Sequence, residues 1–102
     1  MPLTLQVQSS SAYVIADNRG LVLCNGQRGV LINRALGRWI HEALEEIAEE
    51  GRTTRTQQNH AIGGFHTNLG AIVLFAGTHD DLVSVELSPA SFESLRAEFA
   101  EG

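Results

Sequence analysis

Lysine is missing from this chain of 102 residues, and all seven of its basic residues are arginines. Twelve acidic residues bring the net charge to −5. A dedicated nucleic-acid-binding domain is usually strongly basic, so the composition argues against that class of function. The charges also come in blocks, because residues 42–51 hold five glutamates whereas residues 52–79 hold two arginines and no acid. Such segregation leaves open a local basic surface, or contact between the unlike faces of two molecules.

Cysteines and long apolar runs are equally scarce. Cys24 is the single cysteine and cannot form a disulfide within the chain, which favours a reducing compartment. No run of about 18 apolar residues is present to span a membrane, and the first residues lack the charged and apolar regions of a signal peptide. We therefore expect a soluble cytoplasmic protein of prokaryotic or phage origin, without membrane association.

Catalytic signatures are absent as well. The chain has no Gly-x-Ser-x-Gly elbow, no P-loop, no dinucleotide fingerprint and no Cys-x-x-Cys pair, each of which would carry a defined chemistry. Cys24 ends an apolar run, a position typical of a small buried residue rather than of a nucleophile. The sequence favours a protein that is not an enzyme and has no cofactor.

Strands are indicated by two kinds of pattern. Apolar residues alternate with polar ones, or form short runs bounded by glycines and turn formers, and both patterns are typical of strands. The segment from Thr53 to Ile62 is rich in threonine and glutamine, which indicates an exposed or edge strand. A turn is predicted after it, at Gly63-Gly64. Strands are predicted at 3–7, 13–16, 21–24, 53–62, 69–76 and 83–87.

Two helices complete the pattern. Apolar residues with helical spacing predict a helix over 30–50, with Asn33 as a candidate N-cap and Gly51 as its stop. Ser88-Pro89 begins a second helix that ends near Ala100. We predict one α+β domain spanning 1–102, with a predominantly antiparallel sheet in the order βββ-α-βββ-α and both helices packed on one face.

An anion or partner site is predicted at the loop and the beginning of the first helix. Free N–H groups and the helix dipole attract anions there, glycines allow close approach, and arginine presents donors that suit phosphate or carboxylate. The first helix also carries arginines early and glutamates late, the reverse of what its dipole favours. The predicted contact residues are Gly26, Arg28, Gly29, Arg34 and Arg38.

A second hypothesis is a metal-dependent enzyme or sensor. If the chain turned at Gly63-Gly64, His60 and His66 would face each other on neighbouring strands, and His79 and Asp80 of a later turn could approach them. Imidazoles with a carboxylate suit zinc or a similar ion. No strong metal-binding spacing accompanies them.

The acidic block supplies a third hypothesis. Glu42, Glu45, Glu46, Glu49 and Glu50 lie on the polar side of the predicted first helix. They would form a solvated face, or a surface that binds a basic partner or imitates nucleic-acid phosphates, as in an acidic inhibitor protein that belongs to a mobile element.

A binding module is the reading that the sequence favours. The polar edge strand beginning at Thr53 carries no lysine or proline to block pairing with another strand, and symmetric homodimers are the commonest oligomers. We expect a homodimer that contacts a protein partner through the anion or partner site, while nucleic acid or another anion is a weaker alternative.

Overall fold

The computed structural model of this chain describes residues 3–6, 12–78 and 80–100. Within these residues, eight strands and two helices follow one another as a four-stranded meander and a helix, and this order occurs twice. The elements are β1 (Leu3–Gln6), β2 (Ala12–Asp17), β3 (Gly20–Asn25), β4 (Arg28–Asn33), α1 (Gly37–Glu50), β5 (Arg52–Gln57), β6 (His60–His66), β7 (Ile72–Thr78), β8 (Asp81–Leu87) and α2 (Pro89–Phe99). A short 3₁₀ turn (Arg34–Leu36) separates β4 from α1.

The α+β class and the antiparallel pairing are confirmed, but the strands form two sheets with the orders β1-β2-β3-β4 and β5-β6-β7-β8. The sheets meet where β3 contacts β8 and β4 contacts β7. α1 lies against β5 and β6, whereas α2 contacts β1, β8 and α1. The third strand of each half thus meets the fourth strand of the other. The packing of both helices on one face stays a prediction.

One hydrophobic core joins the two halves. Alternate residues of each sheet, among them Val14, Leu23 and Leu74, are fully buried together with Ile47 of α1 and Phe99 of α2. Because successive side chains of a strand point to opposite faces, the remaining residues form an outer face on each sheet.

Residues 28–33 form a fourth strand in the first half, where the sequence predicted a loop and the beginning of a helix. A two-residue turn at Gly26-Gln27, with Gly26 at a φ of 69°, folds β4 back along β3. Ile32 was placed on the helical stripe, but it pairs with Leu21 and is fully buried. A three-residue window of apolar side chains fits either period, and the tight hairpin turn decides between them.

The ends of the helices confirm several predictions. The Asn33 side chain accepts a hydrogen bond from the backbone N–H of Ala35 at 2.8 Å, although it caps the 3₁₀ turn rather than α1. Gly51 ends α1 in the left-handed conformation with a φ of 85°. The Ser88 hydroxyl accepts from the N–H of Ser91 and Pro89 takes the first position of α2.

Gly63 and Gly64 lie inside β6 and do not form a turn, so the predicted hairpin there is wrong. A Cβ on Gly63 would collide with the ring of Phe75, and it would lie 2.5 Å from the Thr53 carbonyl oxygen. A Cβ on Gly64 would lie 2.9 Å from the Ile47 Cδ1 atom of α1. These two glycines are needed for close packing on both faces of the strand, not for a positive φ.

Candidate interaction surfaces

The residues of the predicted anion site are spread along the first half of the chain. Gly26 and Arg28 lie at the tip of the β3–β4 hairpin. Arg28 is six residues from Arg34, which is roughly 20 Å along an extended strand. The helix begins only at Gly37, so the hairpin does not lie at its N-terminus. The prediction that a loop containing Gly26, Arg28 and Gly29 leads directly into the first helix is therefore wrong, because β4 lies between them.

Arg28 has a partner within the fold. Its guanidinium forms an ion pair with Asp81 at the beginning of β8, and both side chains remain more than half exposed. The neighbouring Asn25 Nδ2 donates a hydrogen bond to the Ser84 carbonyl at 2.9 Å. These contacts hold the β3–β4 hairpin against the edge of the second sheet.

Arg34 is half-buried and connects three parts of the chain. It donates hydrogen bonds of 3.2 Å to the carbonyl oxygens of Asp17 and Glu98. Its guanidinium also lies over the Phe99 ring, 4.5 Å from the centroid, where the ring quadrupole attracts a cation. Its donors already bind the β2–β3 turn and the last turn of α2.

Arg38 differs from the other two arginines. It lies in the first turn of α1 with its side chain 91% exposed, and its only ion pair among the described residues is a long contact of 3.9 Å with Glu42. The three predicted arginines thus have three different surroundings and do not form one site.

The histidines do not converge. His60 begins β6 and His66 ends it, so they lie roughly 20 Å apart on one strand. His79 lies outside the described residues, and Asp80 is exposed in the β7–β8 turn. Within the described part of the chain, no group of three metal-ligating side chains comes together. The hairpin that was to bring His60 opposite His66 does not exist.

The glutamates of α1 are largely engaged by the arginines of the chain itself. Arg96 of α2 binds Glu45 through two hydrogen bonds of 2.8 and 3.0 Å, which hold the pKa of Glu45 below its usual value. Arg55 of β5 binds Glu46 at 3.0 Å and Glu42 at 3.4 Å. Much of the acidic face is therefore an ion-pair network that attaches α1 to its neighbours.

Glu46 is also held by Thr53, whose hydroxyl donates a hydrogen bond to its carboxylate. This bond, together with the bond from Arg55, lowers the pKa of Glu46. Glu49 and Glu50 are exposed and have no ion pair among the described residues. A surface that imitates nucleic-acid phosphates would have to rely mainly on these two.

A largely uncharged apolar surface covers the outer face of the first sheet. Ile15, Val22 and Leu31 form one cross-strand row, and Tyr13 pairs with Cys24 in the next. Leu31 is 50% and Tyr13 37% exposed. We call these five residues the neutral face.

The ionisable groups on or beside the neutral face are either uncharged or bound to a group of opposite charge. A hydrogen bond with the Cys24 thiol raises the pKa of Tyr13, and a phenol with an ordinary pKa of about 10 is already neutral near pH 7. Cys24 Sγ leans towards Gly29, where an added Cβ would lie 3.2 Å from the sulfur. Asp17 lies at the end of the same face but is bound by Arg19 at 2.9 Å.

The other prominent surface lies beside β5. β5 is an edge strand, as the sequence predicted, but the single strand predicted over 53–62 is wrong, because a turn at Gln58-Asn59 divides it into β5 and the beginning of β6. An open cavity of about 660 Å³ borders β5, and we call this cavity the β5 groove. Its lining residues are Glu46, Gly51, Arg52, Thr53, Thr54, Gly64, Phe65, His66 and Phe75.

Sequence reasoning predicted the β5 edge, but it missed the neutral face and the aromatic lining of the β5 groove. The predicted strands 13–16 and 21–24 are short runs that are apolar on both sides of the strand. That double-sided apolar character is the signal that was available for the neutral face. The sequence did not predict that Phe65 and Phe75 share one face, because the turn assigned to Gly63-Gly64 separated Phe65 from the strand to which it belongs.

Comparison with known protein families, with curated proteins and with solved structures finds no match for this chain. Among the described residues, no helix is long and apolar enough to cross a membrane. The surfaces of the fold are therefore the basis on which a function can be argued.

Proposed function

We propose that this chain is a non-enzymatic interaction module that works as a homodimer, joined through the neutral face of the first sheet. The observation that carries the proposal is the composition of that face. Five neighbouring outward residues are uncharged, and two of them, Tyr13 and Leu31, are large and exposed. Contiguous exposed apolar surface is characteristic of protein–protein contact sites.

A second copy is the occupant that this face fits best. A two-fold contact places the same surface on both sides, so a charged face would bring like charges together. The neutral face avoids that penalty, because Asp17 at its margin already has Arg19 as its partner. Removing apolar surface from water favours association without any need for opposite charges.

The size of the face sets the expected strength. Four strands spaced about 4.8 Å apart and about six residues long cover roughly 400 Å². This is below the approximately 800 Å² per partner of a standard stable interface. We therefore expect a reversible dimer with a dissociation constant on the order of micromolar or weaker.

Pairing of β5 with its copy, which the sequence suggested, is less favourable. β5 has no acidic residue, so Arg52 would remain without a carboxylate in such a dimer. The β5 edge is therefore better suited to a different partner.

Light scattering after size-exclusion chromatography tests the proposal. Leu31→Arg would place two cations opposite each other across the two-fold axis, and we expect it to weaken dimerisation at least tenfold. The matched control is Leu82→Arg, because Leu82 is also an exposed leucine, 40% exposed, but lies on the outer face of the second sheet. We expect this variant to associate like the original chain. A dimer that persists in Leu31→Arg, or that is lost in Leu82→Arg instead, contradicts the proposal.

A further inference from the structure

The β5 groove combines a free strand edge, an aromatic floor and an arginine. It lies on the second sheet and does not involve the neutral face, so it can be tested independently of dimerisation. Each of the three features can be derived from the packing of the strand.

The backbone of β5 is open on one side at alternate residues. The His66 N–H donates to the Gly51 carbonyl at 2.9 Å, and hydrogen-bonded pairs alternate along an antiparallel ladder. Residues 53, 55 and 57 therefore bond to β6, whereas Arg52, Thr54 and Thr56 direct their N–H and C=O groups away from it. All three of these residues are exposed.

The side chains of those residues share a face with two phenylalanines. Arg52 lies directly opposite Phe65, and Thr54 lies opposite Gly63, which in turn pairs with Phe75. Because Gly63 has no side chain, the Phe75 ring lies over its backbone. Phe65 is 44% exposed. An apolar side chain can therefore contact two rings next to the open edge.

Arg52 supplies the charge of the groove. Six of the seven arginines form an ion pair with a carboxylate, whereas Arg52 forms none within the described residues. Glu46, the one acid in the lining of the groove, is engaged by Thr53 and Arg55. Arg52 is thus available to bind a carboxylate from outside.

We propose that the β5 edge binds an extended peptide as an additional strand. The peptide backbone pairs with Arg52, Thr54 and Thr56, one of its apolar side chains packs on Phe65 and Phe75, and an aspartate or glutamate side chain binds Arg52. Main-chain hydrogen bonds provide affinity in this mode of recognition, and the pocket beside the edge provides specificity.

A peptide suits the groove better than a single-stranded nucleic acid. Alternating free N–H and C=O groups match another strand, and they offer no array of cations for phosphates. α1 also ends with the exposed Glu49 and Glu50, only a few residues before Arg52. These carboxylates repel a polyanion, whereas a single carboxylate has Arg52 beside it.

The first experiment selects binders from a displayed library of random short peptides, using the intact chain as bait. We expect enriched sequences with an aspartate or glutamate near a large apolar residue. Arg52→Glu should weaken their binding about tenfold, and replacing the peptide acid with lysine should restore it on that variant. Arg38→Glu, a change at an exposed arginine outside the groove, is the matched control and should leave binding unchanged.

The second experiment tests strand addition itself. Thr54→Pro removes an N–H that faces the free edge and leaves the β5–β6 ladder intact, so it should weaken binding at least tenfold. Thr54→Val keeps the N–H and should bind normally. Leu31→Arg should also bind normally, which separates failure of this inference from failure of the dimer.

Three results would overturn the inference. The library could yield no binder, the binders could be unaffected by both Arg52→Glu and Thr54→Pro, or short oligothymidylate could bind and shift the NMR signals of β5 and Phe65. The last result would identify the groove as a nucleic-acid surface.

Discussion

At the scale of single residues, the arginines show how differently one residue type is used in this chain. Arg34 crosses from the 3₁₀ turn to the β2–β3 turn and the end of α2, whereas Arg38 extends into solvent. Both were predicted to bind an anion because they lie near the beginning of one helix. Sequence spacing gives no indication that Arg34 instead satisfies two backbone carbonyls.

Replacing these two arginines should therefore have unequal effects on stability. We expect Arg34→Met to lower the free energy of unfolding by about 1–2 kcal/mol, because two carbonyl oxygens lose a charged donor. Arg38→Met should change it by less than about 0.5 kcal/mol. Urea denaturation of both variants checks this, and equal losses would contradict the role assigned to Arg34.

Gly63 is the second residue whose environment decides its role. We expect Gly63→Ala to destabilise the fold by about 1–3 kcal/mol, the usual cost of overpacking, because the added Cβ meets Phe75 and a backbone carbonyl. Gly29→Ala is the control, since the added Cβ there meets the movable Cys24 thiol at 3.2 Å.

Both glycine changes are best measured in the Leu31→Arg chain, so that association does not affect the comparison. If urea denaturation shows that Gly63→Ala lowers the free energy of unfolding no more than Gly29→Ala does, then Phe75 does not pack on Gly63 as closely as the structure shows.

At the scale of elements, α1 is attached to its neighbours by ion pairs as well as by its apolar stripe. Arg96 connects α2 to α1 through Glu45, and its second partner is Glu93 at 2.6 Å on its own helix. These bonds raise the pKa of Arg96 and lower that of Glu45. Arginines on other elements bind three of the glutamates of α1, whereas Glu49 and Glu50 in its last turn have no ion pair among the described residues and remain opposed to the helix dipole.

The Arg96–Glu45 pair should make stability depend on pH in a defined direction. Because the folded pKa of Glu45 lies below its usual value of 4.5, the pair stabilises the fold above about pH 4.5 and loses this contribution as the pH falls further. Arg96→Gln should lower the free energy of unfolding by about 1 kcal/mol at pH 7, as expected for a partly exposed pair. The difference in stability between this variant and the original chain should become smaller towards pH 3.

Thermal unfolding of both proteins between pH 7 and pH 3 measures that difference. Ser94→Gln, on the exposed side of α2, controls for the change of helix composition. A difference that stays constant over this pH range would mean that Arg96 does not act through Glu45.

Sequence reasoning succeeded for elements with a clear period or a defined end. The stripe of α1, the stop at Gly51 and the cap at Ser88-Pro89 all depend on local chemistry, and the structure confirms them. It failed at β4 and β6, because there a hairpin turn and a contact with Phe75 decide the conformation. The contact of Gly63 with Phe75 joins two different strands, so the local pattern of β6 does not contain it. The turn before β4 is local, but the short apolar run that follows it fits a strand and a helix equally well.

The candidate surfaces were harder to predict for the same reason. The β5 edge followed from the polar composition of one segment. The neutral face and the aromatic floor of the groove require the register of several strands, which places Leu31 beside Val22 and Phe75 beside Gly63. An exposed face is a property of the sheet and not of any one strand.

At the scale of the whole molecule, two halves of similar order enclose one core and leave two outer sheet faces. The first is neutral and is assigned here to a second copy of the chain. The second carries Arg52, two phenylalanines and a free edge, and is assigned to a peptide. A dimer joined through the first sheets would leave both β5 edges available, so one assembly would hold two peptide sites.

The central claim is that copies of this chain meet through the neutral face, and isotope-filtered NMR of a sample that mixes labelled and unlabelled chains tests it most directly. We expect intermolecular NOEs among the side chains of Ile15, Val22 and Leu31, and their loss in Leu31→Arg. If the intermolecular NOEs come from β5 instead, or none is seen while sedimentation shows a single chain of 11.0 kDa, the proposed homodimer is wrong.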